Sequence, residues 1–171
     1  MADAMMKLTG VISALLLTAT AAPSAAQIAV RSTLTGLTGV RLAVEDIPLD
    51  AERDGMTTAG IQVQVETLLS RAQIKILDLE TWNKTPGKPL LQVAFVAVKN
   101  QAGTYAYNLD VQLFQTVQLS RQSSLSAESA TWTAPTMVHL VNVSRLREDL
   151  HQEIEDKVGA FVSSFRAANP R

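Results

Sequence analysis

The strongest pattern in the chain has a period of two. Tyr105, Tyr107, Leu109, Val111, Leu113, Val117 and Leu119 hold one parity, broken only by Gln115. Ala106, Asn108, Asp110, Gln112, Thr116, Gln118 and Ser120 hold the other, broken only by Phe114. Alternation sustained this long specifies a strand with one packed face and one wet face. Such a run spans about 50 Å at the usual rise per residue, so a bulge or bend is predicted where the parity breaks, at Phe114-Gln115.

Other stretches carry shorter patterns. Val40, Leu42 and Val44 alternate with Arg41 and Ala43 behind Gly39, which predicts a first strand closed by Pro48 and the polar loop Asp50–Gly55. Ile61, Val65, Leu68, Leu69 and Ala72 then share one helical face, and Thr57 or Thr58 can cap it. Ile61–Val65 also alternates as a strand would; length and the following Leu68-Leu69-Ser70-Arg71-Ala72 favour helix. Ile74–Leu77 reads as a short second strand. Thr85-Pro86-Gly87-Lys88-Pro89 is a turn, and Leu90–Val98 is so continuously apolar that it predicts a strand covered on both faces.

Asn100–Gly103 is the hairpin connection to the long strand. Arg121–Glu128 reads as a polar loop and Ala130–Thr133 as a last short strand. Val143, Leu146, Leu150, Ile154, Val158, Phe161 and Phe165 form the stripe of a final helix, from about Val143 to Ala168, stopped by Asn169-Pro170. Arg147 and Lys157 fall inside that stripe, so their heads are expected to snorkel at its edge. The order β-α-β-β-β-β-α gives an α/β (α+β) fold, a mostly antiparallel sheet with two helices packed on one face.

The N-terminus has another character. Lys7 supplies a positive start, Leu8–Ala19 an apolar run, and Pro23-Ser24-Ala25-Ala26 the small residues that a signal peptidase reads. Residues 1–26 are expected to be a signal peptide cleaved between Ala26 and Gln27, 27–36 a flexible linker, and 37–171 a single exported domain, periplasmic or secreted. The apolar run is too short to span a bilayer as a helix, so no permanent membrane span is expected after cleavage. There is no cysteine, which excludes a lipoprotein anchor, thiol catalysis and iron–sulfur ligation, and leans towards a bacterial envelope. Fifteen Lys and Arg against sixteen Asp and Glu, with no block of one sign, leave no phosphate-tracking surface, so no nucleic-acid partner is expected.

Candidate chemistry is sparse. Glu148-Asp149-Leu150-His151 has the Glu-x-x-His spelling of di-iron helices, but no second copy exists and a solvated helix face accounts for it. His139 and His151 are the only histidines and lack metal-ligand spacing. His139 with Asp110 and a serine would make a triad, yet no Gly-x-Ser-x-Gly places a nucleophile. Gly36-Leu37-Thr38-Gly39 is a lead-in to the first strand, and the sequons at Asn83 and Asn142 are read as chance. Trp82, Tyr105 and Tyr107 are read as core. Trp132, flanked by Thr131 and Thr133 on a short strand, is the better binding candidate. No catalytic residue, metal site or cofactor is expected. Candidate partner contacts are Trp132, Asp110, Asn108 and Gln112.

The strings Leu37–Asp46, Lys84–Gly87, Tyr105–Leu113 and Ala130–Trp132 resemble a group of short exported bacterial proteins of unassigned activity. The element order is more distantly similar to the TolB N-terminal domain and to auxiliary domains of envelope transporters. That resemblance implies contacts with envelope protein or lipid; it transfers no functional residue. The leading expectation is therefore a non-enzymatic exported domain that binds a protein or envelope component. An enzyme of unrecognised type and a self-associating structural module are the alternatives.

Overall fold

The computed structural model describes residues 33–170. The expected signal peptide and the linker residues 27–32 lie outside the described residues. The elements are β1 (Arg41–Val44), α1 (Leu49–Arg53), α2 (Thr58–Arg71), α3 (Leu79–Lys84), β2 (Leu90–Lys99), β3 (Thr104–Leu119), β4 (Gln122–Thr133), β5 (His139–Asn142) and α4 (Leu146–Ala168). A 3-10 turn at Val143–Arg145 leads into α4.

Local chemistry sets the boundaries. Thr57 caps α2 by accepting from the Gly60 N–H at 3.0 Å, and Asp78 caps α3 by accepting from Thr81 N–H at 2.7 Å. The β2–β3 hairpin closes with Asn100 N–H donating to the Thr104 carbonyl at 2.9 Å, while Gly103 takes φ +78°, a conformation costly for other residues. Gly39 is required for a different reason. A Cβ there would collide with the Lys75 carbonyl oxygen, where the chain after α2 crosses close behind β1.

The sheet is built around β3. β1 pairs in parallel with β2, from Arg41–Leu90 to Val44–Val93, and β2 runs antiparallel to β3 from Leu90–Phe114 to Lys99–Tyr105. The other edge of β3 is divided. β5 pairs with its beginning, Thr104–Asn142 to Tyr107–His139, and β4 with its end, Gln112–Thr133 to Leu119–Gln122. Between them Ala134 N–H donates to the Val111 carbonyl at 2.9 Å. The register shifts between Leu113 and Phe114, next to the expected break at Phe114-Gln115, but the extra residue is Thr131 of β4: Leu113 pairs with Trp132 and Phe114 with Ala130. Beyond it, β3 and β4 continue as a two-stranded arm whose β4 half is exposed from Gln122 to Ala130.

α2 and α4 pack on one face of this sheet, as the fold class requires. Tyr105, Tyr107, Leu109, Val111 and Leu113 of β3 meet Leu146, Leu150, Ile154, Val158 and Phe161 of α4 and Ile61, Val65 and Leu69 of α2 in one buried core.

Several expectations are corrected. Leu90–Val98 is covered on one face only: its burial alternates, and Val96 and Val98 are exposed. Ile74–Leu77 forms a single parallel bridge, Val40–Ile76, and no strand. Of the expected loop Arg121–Glu128 only Arg121 is in a turn; Gln122–Glu128 belong to β4. Asp50–Gly55 holds most of α1, in which Ala51 is fully buried and Leu49 is exposed. Residues 33–36, expected as part of the linker, form a turn: Leu34 is fully buried, and Asn169 donates to its carbonyl and accepts from Gly36 N–H.

Candidate functional site

The two faces of β3 differ in chemistry. The covered face hides polar groups among its apolar ones. Tyr105, fully buried, donates its hydroxyl to Asp54 Oδ2 at 2.5 Å, and Lys99 Nζ lies 2.7 Å from the same oxygen. Tyr107 donates to Asp149 Oδ2 at 2.8 Å. Burial, reinforced by these carboxylates, pushes both phenols above their ordinary range. Hydrogen bonds from Lys99 and Tyr105 hold Asp54 below the usual carboxylate range.

Further along the same face, Lys157 is 5% exposed. Its Nζ donates to the Leu109 carbonyl at 2.5 Å and pairs with Glu153 Oε1 at 3.2 Å. The expectation that Lys157 snorkels is thus overturned: β3 offers a backbone acceptor directly beneath it, and Glu153 one turn earlier neutralises it. His139 stacks on Tyr107 with ring centroids 5.0 Å apart, and its Nε2 lies 3.3 Å from Glu153 Oε1 without hydrogen-bond geometry. Arg147 does stay at the rim, where it donates to the Gly55 carbonyl at 2.7 Å.

The uncovered face is where three of the four candidate contacts sit. Asn108, Asp110 and Gln112 point away from the helices, half-buried, opposite Val96, Ala94 and Gln92 of β2. Thr136 Oγ1 reaches Asp110 Oδ1 at 3.4 Å, and Asn108 Oδ1 is buried without a partner. Towards the β5 end the rows become apolar. Val98, Ala106 and Leu140 lie side by side in register, with Val96 in the next row. Val96, Val98 and Leu140 are 57%, 72% and 77% exposed.

Trp132, the fourth candidate, is on the other side. It pairs with Leu113, is 5% exposed and meets Phe161 edge-on at 5.2 Å. Its polar neighbours Thr131 and Thr133 flank a buried position, so the ring is unavailable to a partner.

His139 and Asp110 do not converge. His139 shares the covered face with Tyr107, and Asp110 points to the opposite one. His151 pairs loosely with Glu155 at 3.5 Å on the exposed side of α4, as the helical wheel predicts. A cleft of about 530 Å³ beside α4 brings His151, Glu148 and Ser144 to one wall, but the Ser144 hydroxyl donates to Asn142 Oδ1 at 3.0 Å, an amide that cannot take its proton. Among the described residues, no group of three or more His, Asp or Glu is placed to hold a metal ion, and no helix is long and apolar enough to cross a membrane.

The sequence reading missed the Asp54–Tyr105 and Asp149–Tyr107 bonds. The signal was present: two tyrosines on a packed parity each need a buried acceptor for the hydroxyl. The chain matches no protein-family model, no curated protein and no solved structure.

Proposed function

We propose that this chain is a non-enzymatic binding domain of the bacterial envelope, exported by a signal peptide cleaved after Ala26, and that a protein partner docks on the uncovered face of its sheet. The observation that carries the reading is the apolar step at one end of that face, where Val96, Val98 and Leu140 stand in adjacent rows. Met137 and Val138, beside β5, are exposed as well. Contiguous apolar surface rimmed by polar groups is the usual mark of a contact site. Asn108, Asp110 and Gln112 form the polar side of the same surface and would fix the orientation of the partner.

The open edge of β4 supports a second contact. Along Gln122–Thr133 the only charged residue is Glu128, and there is no proline or lysine to block strand addition. The test is affinity capture from the native envelope with the wild-type mature chain and with Val98→Glu/Leu140→Glu. The wild type is expected to retain a specific protein that the double variant loses at unchanged melting temperature. Equal capture by both would overturn the reading. Export is checked separately, by N-terminal sequencing of the mature protein, which should begin at Gln27.

A further inference from the structure

Beyond the opposite end of β2, the turn at Gly87-Lys88 meets the base of the β3–β4 arm and encloses a groove of about 280 Å³. Its walls are Trp82 and Lys88 on one side and Thr116, Ser126, Ala127 and Glu128 on the other. We infer that this groove binds one ring of a neutral carbohydrate.

The groove is built in advance of any ligand. Thr116 N–H donates to the Gly87 carbonyl at 2.7 Å, and Lys88 N–H to the Thr85 carbonyl at 3.1 Å. These bonds pin the turn to β3 and hold Lys88 at φ +44°, a conformation that non-glycine residues seldom adopt. Strain at a solvent-facing turn is retained where the surroundings fix a side chain in place. Here it sets the Lys88 ammonium 5.5 Å from the centre of the Trp82 ring, with the Arg41 guanidinium 5.7 Å from it.

The charged groups are left open. Among the described residues, Lys88 has no carboxylate within ion-pair distance, although Glu128 lines the same groove. The Trp82 indole N–H is buried with no acceptor. The walls therefore present one donor (Lys88), one acceptor (Glu128) and two hydroxyls, of Thr116 and Ser126, that do both.

Charge then selects the ligand class. A phosphate or carboxylate drawn to Lys88 would meet Glu128, and an amine drawn to Glu128 would meet Lys88. A zwitterion would match the two charges alone; a sugar ring satisfies both charged groups and also the Thr116 and Ser126 hydroxyls, because each of its hydroxyls donates and accepts. The volume falls just below that of pockets for drug-sized ligands, which limits the occupant to about one ring. This site lies at the far end of the sheet from Val98 and Leu140 and stands independently of the protein-docking reading.

The experiment uses the mature chain labelled with ¹⁵N, whose two tryptophans give two indole peaks, assigned with Trp82→Phe. The probes are glucose, N-acetylglucosamine and inorganic phosphate. A dose-dependent shift of the Trp82 peak is expected with at least one of the sugars in the millimolar range, and none with phosphate. Lys88→Gln and Glu128→Gln should each weaken the response at least fivefold with the remaining spectrum unchanged, whereas Val98→Glu/Leu140→Glu should keep it. The inference is overturned if neither sugar moves the peak up to about 100 mM, if phosphate alone moves it, or if both groove variants respond like wild type.

Discussion

Lys157 and Glu153, one turn apart on α4, pair beneath the helix and not along its surface. Their neighbours there belong to the sheet: the lysine donates to the Leu109 carbonyl, and the His139 ring lies beside the glutamate. An ion pair in this position is costly to break and less costly to replace, because removing one member strands the other charge away from water. Lys157→Ala is expected to destabilise the domain by about 3–5 kcal/mol. The double change Lys157→Met/Glu153→Leu should cost less than that single one, and chemical denaturation of both variants measures the difference. A double variant worse than Lys157→Ala would mean that the pair holds α4 in register as well as neutralising itself.

The buried phenols make the fold sensitive to alkali. Their folded pKa values lie above those in the unfolded chain, near 10. The stability they contribute is thus complete below pH 10 and is lost as pH rises towards the folded values. Wild-type unfolding free energy should fall steadily above pH 10, and Tyr105→Phe/Tyr107→Phe should flatten that slope. Identical slopes would show that other groups govern alkaline unfolding.

Acid acts through the other end of one of these bonds. Lys99, and secondarily Tyr105, hold Asp54 below its ordinary 3.8. Its contribution is present above about pH 4 and lost as pH drops through the lower folded value. Asp54→Asn should be less stable than wild type at pH 6, and the gap should narrow towards pH 2. Thermal melts at the two pH values are sufficient to see it.

How far these features could be read from sequence depends on whether a residue packs against something. β3 was legible because its parity is written by the core: Tyr105 to Leu113 face α4, and their neighbours face water. The stripe from Leu146 to Phe161 was legible for the same reason. β4 was not, since Gln122–Ala130 add no residue to the core and Ser123, Ser124, Ser126 and Ser129 carry no face to alternate. β2 misled in the opposite sense. With apolar residues at both parities, its sequence could not show that one side is bare. Among the candidate contacts, Asn108, Asp110 and Gln112 followed from the wet parity of β3. Trp132 did not, because its position is set by the register against Leu113 after the bulge, which no local pattern encodes. The Trp82–Lys88 groove joins residues about forty positions apart and depends on the left-handed turn at Lys88.

Two glycines should respond in opposite ways to the same substitution. Gly39→Ala forces a methyl into the Lys75 carbonyl and should destabilise by about 1–3 kcal/mol, as overpacking does. Gly159→Ala, inside α4 with open space where the methyl would go, should stabilise by about 0.5–1 kcal/mol. Paired melting curves decide both, and a loss of stability at Gly159 would indicate that α4 needs flexibility there.

The arm formed by the far halves of β3 and β4 gives the protein two levels of persistence. Its backbone is paired, yet from Gln122 to Ala130 no side chain is buried, so its opening sacrifices little apolar burial. Amide protons of the arm should therefore exchange with solvent through local opening, long before those of Leu109 or Val111. Trypsin should find Arg121 at the tip first. A single nick there would leave the core sheet and α4 intact, held together by contacts that never pass through the arm.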